Sequence, residues 1–385
     1  MRTIGVVTTA RADYGLYVPI LEAIRKQRGL KLQLYVTGMH LSKHYGLTVK
    51  DIEHSGYRIK AKIKMTLSDS PQHIGQAMGE VTKGFSKVFA KNRPDILLVL
   101  GDRYEMHAAA LAAIPWGIPL AHIHGGELTY GAFDEYFRHS LTKLSHLHFA
   151  TTQEYARRIV QMGEEPWRVF AVGSPGVEGL MRQPVMTRDE LARRFRVDFG
   201  KPILLVTFHP VTMEAGDTAA HIRHLLTVLA GYKNHNIVFT RPNSDTGNRV
   251  IQKAIARFVK GHRNALLVPA FGHAGHTSMM HYAKAMVGNS SSGIIEAASF
   301  KLPVVNIGTR QEGRIRARNV IDVGYSPAEI RQGLKRALSA SFKASLKNLR
   351  NPYGDGKTSG RIVRVLAGAD LKRLKHKRFF DQGRV

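Results

Sequence analysis

Asp102 and Arg103, the run His122-Ile123-His124-Gly125-Gly126-Glu127, and the pairs Asp134-Glu135 and Arg138-His139 crowd carboxylates, imidazoles and guanidinium groups into one short stretch of the chain. Carboxylates set among cations suit proton transfer to or from a polar substrate. Asp102 also reads as a helix cap, and Asp134 and Glu135 as acids stabilising a helix start. Glu135 lies three residues before Arg138, so the two share a helix face. Gly125 and Gly126 permit a tight turn before Glu127. His122 and His124 would share a strand face and could ligate a metal. No third ligand is suitably spaced, so no metal is expected and Glu127 is the better candidate for acid–base work.

Further along, Gly288-Asn289-Ser290-Ser291-Ser292-Gly293 follows a short apolar run and opens the helical stretch Ile294–Phe300. Such a turn offers backbone N–H groups and hydroxyls to phosphate oxygens. Glu296, one turn on, could accept from ribose hydroxyls; an ordinary serine cap with a capping Glu is the plainer reading. Arg11 stands at the first strand–helix turn, where it could pair with a phosphate. That turn lacks Gly-x-Gly-x-x-Gly, which disfavours a dinucleotide site, and no cofactor is expected. His209, blocked from a helix by Pro210, ends another apolar run. Arg241-Pro242-Asn243 and Gln311-Glu312-Gly313-Arg314 are polar strand-end loops.

These residues need elements to place them. Ile4–Thr9, Leu32–Thr37, Asp95–Leu100, Pro119–His124 and Leu147–Thr151 read as strands. Helical patterns follow Leu16, run from about Pro71 to Asn92 and from about Tyr104 to Ile114, and start near Asp134. Ala10–Gly15 reads as a polar turn. Glycines and prolines cluster between about Val172 and Thr187, a linker. Strands then resume at Pro202–Phe208, Asn236–Thr240, Ala265–Pro269, Ala285–Gly288 and Pro303–Ile307, with a helix at Thr218–Gly231. The alternation predicts an α/β protein of two doubly wound parallel-sheet domains, residues 1–175 and 188–365, with a basic tail at 366–385 and the active site in the cleft between them.

The chain has 385 residues, 43% of them apolar, and no cysteine, which excludes disulfides, thiolate nucleophiles and Cys-ligated metals. No segment approaches the length of a membrane span, and the N-terminus lacks a signal-peptide pattern. A soluble, cytoplasmic protein is expected. The formal charge of +28 favours anionic partners. From Leu346 to Val385 there are 11 Lys and Arg against 3 Asp and Glu, read as a solvated basic tail. No nucleic-acid motif accompanies it, and no nucleic-acid partner is expected.

The ordered runs TTARADYGLYVPIL, VTGMHLS, GDRYE, HIHGGE, DEYFRHSLTKLSHLHF, VGSPG, TFHPVT, RPNSD, GNSSSGIIEA and NIGTRQEGRIRARNVI resemble the UDP-N-acetylglucosamine 2-epimerase family, particularly its hydrolysing branch. The resemblance implies a GT-B architecture of two Rossmann-like domains, with UDP held mainly by the second. It implies C2 deprotonation of a nucleotide sugar, departure of UDP and hydration of the glycal. It assigns acid–base positions to Asp102, Glu127, Asp134, Glu135 and His209. Nucleotide-sugar contacts fall to Arg11, Arg138, Asn243, Ser290, Ser291, Ser292, Gly293, Glu296 and Arg314. Members often carry Asp-Asp where this chain has Asp134-Glu135. The non-hydrolysing branch typically has His-Arg-Arg-Glu where this chain continues from His209 as His-Pro-Val-Thr, which favours hydrolysis. The expected substrate is UDP-N-acetylglucosamine, giving N-acetylmannosamine for sialic-acid-type synthesis. UDP- or GDP-linked 2,4-diacetamido-trideoxy sugars are the alternative, and a GT-B glycosyltransferase is the rival class. The family also suggests a homo-oligomer, dimer or tetramer.

Overall fold

The computed structural model describes residues 1–67, 70–129, 133–242 and 248–383. The chain divides into two compact units, residues 1–179 with 353–385, and residues 180–352. In the first, seven parallel strands form one sheet: β1 (Arg2–Thr8), β2 (Leu30–Val36), β3 (Ile59–Lys62), β4 (Ile96–Leu100), β5 (Leu120–Ile123), β6 (Leu147–Ala150) and β7 (Val169–Ala171), in the order β3-β2-β1-β4-β5-β6-β7. The second holds β8 (Ile203–Thr207), β9 (Asn236–Thr240), β10 (Ala265–Val268), β11 (Ala285–Gly288), β12 (Val304–Ile307) and β13 (Val320–Val323), in the order β10-β9-β8-β11-β12-β13. Central strands such as Ile-Leu-Leu-Val-Leu of β4 and Ile-Leu-Leu-Val-Thr of β8 are buried throughout, as sheets covered by helices on both faces require. In each sheet the winding reverses once, between β1 and β4 and between β8 and β11. The crevice beyond the strand ends at such a reversal is where open α/β sheets bind ligands.

Three boundaries differ from the sequence reading. Of the residues read as a polar turn from Ala10 to Gly15, all but the N-cap Ala10 already belong to the helix Arg11–Lys26. Its start is fixed by the Asp13 carboxylate, which accepts from the backbone N–H of Thr9 (3.0 Å) and Ala10 (3.0 Å). The glycine- and proline-rich linker contains the helix Pro175–Arg182. Proline is tolerated in a first turn, and Val177 and Leu180 are buried.

The third difference is at the C-terminus, which the sequence assigned to the second domain and a solvated tail. Residues 353–385 belong to the first unit. The helix Thr358–Gly368 packs against Arg11–Lys26. Buried Glu178 accepts from Ser359 N (2.5 Å) and Oγ (2.6 Å). Fully buried Arg168 donates to Leu374 O (3.1 Å) and His376 O (2.9 Å). Lys377 reaches Glu164 (2.8 Å) and the carbonyls of Lys143 (2.5 Å) and Ser145 (2.7 Å). The basic segment is therefore a strap held onto the unit, with Lys377 turned to carbonyls and a buried acid while Lys372, Arg373, Lys375 and Arg378 stay exposed. Among the described residues, no helix is long and apolar enough to cross a membrane.

Candidate active site

At the reversal of the first sheet, the loops after β4, β5 and β6 and the start of the helix Asp134–Leu144 bring the expected acids together. Arg138, on the second turn of that helix, is buried and turned inward. Its Nη2 pairs with Asp102 and donates to Thr129 Oγ1 (2.9 Å), and its Nη1 donates to His124 O (2.9 Å). The sequence offered Arg138 to the nucleotide sugar; the structure makes it the clamp of the acid cluster. Glu135 accepts from Thr129 N (2.6 Å) and lies 2.9 Å from His139 Nε2. Glu127 Oε1 accepts from Thr151 Oγ1 (2.8 Å) and sits 2.8 Å from His124 Nδ1. Gly126, at φ +74°, carries no Cβ because one would lie 2.5 Å from Tyr155 O. Arg11 is exposed at the end of β1.

The electrostatics separate these acids. Burial opposes charge on Glu127, but His124, Arg138 and the Thr151 hydroxyl outweigh it and hold the carboxyl at about 2. Asp134 goes the other way: burial and then the Asp102 carboxylate raise it, against Arg103 and Arg138. Asp102, Glu127 and Glu135 each engage a cation or imidazole side chain. Asp134 has no side-chain hydrogen-bond partner among the described residues. Burial pushes the His122 ring down to about 3, so it is neutral, with Nε2 2.8 Å from Gly101 O. β5 ends at Ile123, and His124 then takes a left-handed φ of +67°, so the two histidines no longer share a strand face. Among the described residues, no cluster of His, Cys, Asp and Glu could hold a metal.

Sequence reasoning passed over several residues of this edge. Buried Asp13 also accepts from Thr9 Oγ1 (2.6 Å) and lies 3.9 Å from His40 Nε2. Fully buried Glu105 makes a two-pronged pair with Arg103, which the sequence did single out, at 2.7 and 3.1 Å. An acid three residues into a helix is a capping signal, so Asp13 was findable. Thr129 and Thr151 carried no such signal.

At the reversal of the second sheet the loop after β11 is the organiser. Buried Asn289 accepts from His209 N (2.7 Å) and donates to His209 O (2.9 Å), while its own carbonyl accepts from Gln311 Nε2 (2.9 Å) and Arg310 Nη1 (3.3 Å). The strand-end loops after β8, β11 and β12 are thereby joined, with His209 on the first and Arg314 on the third. Ser290 caps the five-residue helix Ser291–Ile295, accepting from Ser292 N. Gly293 lets that helix lie on β12, since a Cβ would meet Val304 Cγ1 at 2.9 Å. Burial raises the Glu296 carboxyl, against a hydrogen bond from Ser292. Half-buried Arg314 accepts Arg316 Nη1 on its carbonyl (2.6 Å). Asn243 lies outside the described residues. An unforeseen cluster sits on the same edge: Glu214 accepts from Thr309 Oγ1 and Tyr325 OH, both at 2.5 Å, and His221 stacks on Tyr325 at 3.5 Å.

Two doubly wound parallel sheets, one edge carrying acids and the other a serine-rich turn, define a GT-B-like α/β protein equipped for nucleotide-sugar chemistry. A family profile described as UDP-N-acetylglucosamine 2-epimerase matches residues 22–367. The chain is 40% identical over 368 residues to the UDP-N,N'-diacetylbacillosamine 2-epimerase (hydrolyzing) of Legionella pneumophila, covering 95% of this chain and 96% of that one. It is 37% identical over 383 residues to the GDP/UDP-N,N'-diacetylbacillosamine 2-epimerase (hydrolyzing) of Campylobacter jejuni, covering 99% of each. The UDP-GlcNAc 2-epimerase of Neisseria meningitidis, solved bound to UDP-GlcNAc, shares the fold with a TM-score of 0.77 and 19% identity, over 96% of this chain and 100% of that one. The chain belongs to the UDP-N-acetylglucosamine 2-epimerase family, on its hydrolysing branch, and is by class a nucleotide-sugar 2-epimerase.

Proposed function

We propose that the protein hydrolyses and epimerises a UDP-linked 2,4-diacetamido-trideoxy sugar, UDP-N,N'-diacetylbacillosamine, releasing UDP and the free sugar inverted at C2. The observation that carries the chemistry is the acid cluster at the first sheet's reversal, where one carboxyl, Asp134, is raised and has no side-chain hydrogen-bond partner among the described residues. A C2–H bond is weakly acidic, so its proton must meet a fixed base while the departing diphosphate is stabilised. Re-protonation at C2 needs a group that still holds a proton, and the raised Asp134 suits that role better than Glu135, which is occupied by His139 and Thr129. The nucleotide falls to the second unit: Ser290 to Gly293 for the diphosphate with Arg314, and Glu296 for the ribose. Arg11 and Asn243 are further candidates for the nucleotide, and His209 for acid–base work.

The choice of sugar rests on the names of the Legionella and Campylobacter relatives, each matched along more than nine-tenths of both chains. A glycosyltransferase would require only one acceptor base, which leaves most of the acid cluster without a task. The test is a proton NMR time course in D2O with UDP-N,N'-diacetylbacillosamine and UDP-N-acetylglucosamine run separately. The expected result is release of UDP and a 2-epimer carrying deuterium at C2, with the higher kcat/KM for the diacetamido substrate. Preference for UDP-N-acetylglucosamine would replace the sugar assignment. Inertness toward both would refute the reading.

A further inference from the structure

Among the groups of the acid cluster, His124 carries two energetic costs at once. Its φ of +67° puts a residue with a Cβ in the left-handed region, where side chains are strained. Its Nε2 is buried and meets no hydrogen-bond partner among the described residues, which is a further cost. The surroundings enforce this conformation. The His124 N–H donates to Phe149 O (3.2 Å), and its carbonyl is held by Arg138. Arg158 Nη1 donates to Gly126 O (2.5 Å). Strain and an unmet polar atom at one residue, over-determined by its neighbours, are what a functional group shows.

Its other nitrogen is oriented. Nδ1 lies 2.8 Å from Glu127 Oε1, and Glu127 is steadied by the Thr151 hydroxyl. Against the ionised Glu127 carboxylate Nδ1 acts as a donor, which leaves Nε2 as the ring's other proton site. This is the carboxylate–imidazole arrangement in which the acid fixes the tautomer and the imidazole moves the proton. The charged and titratable groups around His124 are Glu127 on its own loop, Arg138 from the helix Asp134–Leu144, and His122 at the end of β5.

We propose that His124, through Nε2, takes the proton from C2 of the sugar, and that Glu127 is its positioning residue. The assignment deepens the proposed function and rests on it. In the elimination, the C2–H electron pair becomes the C1=C2 bond, the C1–O bond breaks, and UDP leaves with that pair; the proton stays on Nε2. In the hydration, protonated Asp134 gives its proton to C2 on the opposite face. Water adds its oxygen at C1 and returns a proton to the Asp134 carboxylate. The imidazolium then releases its proton to solvent.

The test is His124→Gly in the full chain, because glycine accepts the left-handed backbone without strain. The expected result is a fall of about 10³-fold in kcat in D2O, with UDP binding retained. Added imidazole should restore turnover at least tenfold, and a series of substituted imidazoles should restore it in order of basicity, which simple refilling of the space would not do. Turnover within tenfold of wild type without imidazole overturns the assignment. So does a loss that no imidazole restores, or a restoration indifferent to basicity. Wild-type protein inert toward both nucleotide sugars overturns the proposed function and this assignment with it, so the two failures are distinct.

Discussion

Replacing Glu164 by glutamine should destabilise the first unit by about 3 kcal/mol at neutral pH. The Glu164 side chain is fully buried and meets Lys143 Nζ at 2.6 Å, Lys377 Nζ at 2.8 Å and His148 Nε2 at 3.0 Å. Burial opposes its charge, yet His148 and the two lysines outweigh burial and bring the carboxyl from an ordinary 4.5 to about 2. At roughly 1.4 kcal/mol per tenfold change in proton affinity, that depression corresponds to about 3 kcal/mol of folding free energy at pH 7. Glutamine mimics the protonated acid and leaves two lysines facing each other, a loss at the lower end of that for broken buried ion pairs. The folded-state value lies below the unfolded one. The stabilisation is therefore complete above about pH 5 and drains away as pH falls toward 2, so the difference between wild type and variant should shrink to about 1.5 kcal/mol at pH 3. Both tryptophans, Trp116 and Trp167, belong to the first unit, and Trp167 lies between the guanidinium groups of Arg168 (4.2 Å) and Arg373 (3.9 Å). Urea unfolding followed by tryptophan fluorescence therefore reports on this unit and its strap. A difference under about 1 kcal/mol at pH 7, or one that stays constant down to pH 3, would refute the reasoning.

Asp134→Asn should lower turnover by about 10²- to 10⁴-fold while calorimetric UDP affinity is kept; a parallel loss of binding would move Asp134 into the nucleotide site. Because burial and Asp102 raise Asp134, the step that needs its proton should slow as pH rises through that raised value. Asp102→Asn, which removes the negative neighbour and frees Arg138, should move this limb of the kcat profile to lower pH, and an unmoved limb would disprove the coupling. Ser290→Ala removes a hydroxyl from the turn after β11, and UDP affinity should weaken by about 3- to 10-fold; an unchanged calorimetric Kd would count against the diphosphate assignment.

What was legible in the sequence was whatever local pattern dictates. Ile96–Leu100 and Ile203–Thr207 are continuous apolar runs, and only a strand buried on both faces uses such a run at that length. The edge strands Ile59–Lys62 and Val169–Ala171 are short and half-exposed, so they leave no comparable imprint. The C-terminal strap was misread for a different reason. Lys377 and Arg168 look like solvated cations until partners more than 200 residues away in sequence, such as Leu374 and His376 for Arg168, are brought to them. At the site, strand-end position singled out Asp102 and Glu127 as candidates, and a helix start singled out Asp134 and Glu135. Their division of labour was hidden, because it depends on which acid Arg138, His124, Thr151 and Thr129 each happen to reach.

That division has a physical logic. Four carboxylates gathered at one sheet edge would repel one another, and each would drift toward the neutral form. Here the repulsion is relieved unequally. Arg138 answers Asp102, His124 and Thr151 answer Glu127, and His139 and Thr129 answer Glu135. The residual strain falls on Asp134, which is raised by Asp102 although Arg103 and Arg138 oppose the shift. A cluster in which one carboxyl is raised while another is held ionised beside an imidazole offers two groups of different proton affinity at one edge. Inversion at a carbon requires that pair, since the proton lost from one face must be replaced on the other. Under the proposed assignment the replacing proton comes from a carboxyl in exchange with water. Deuterium at C2 of the product, one atom per turnover, is therefore the signature of two separate groups, and a single shuttling base would return part of the original hydrogen.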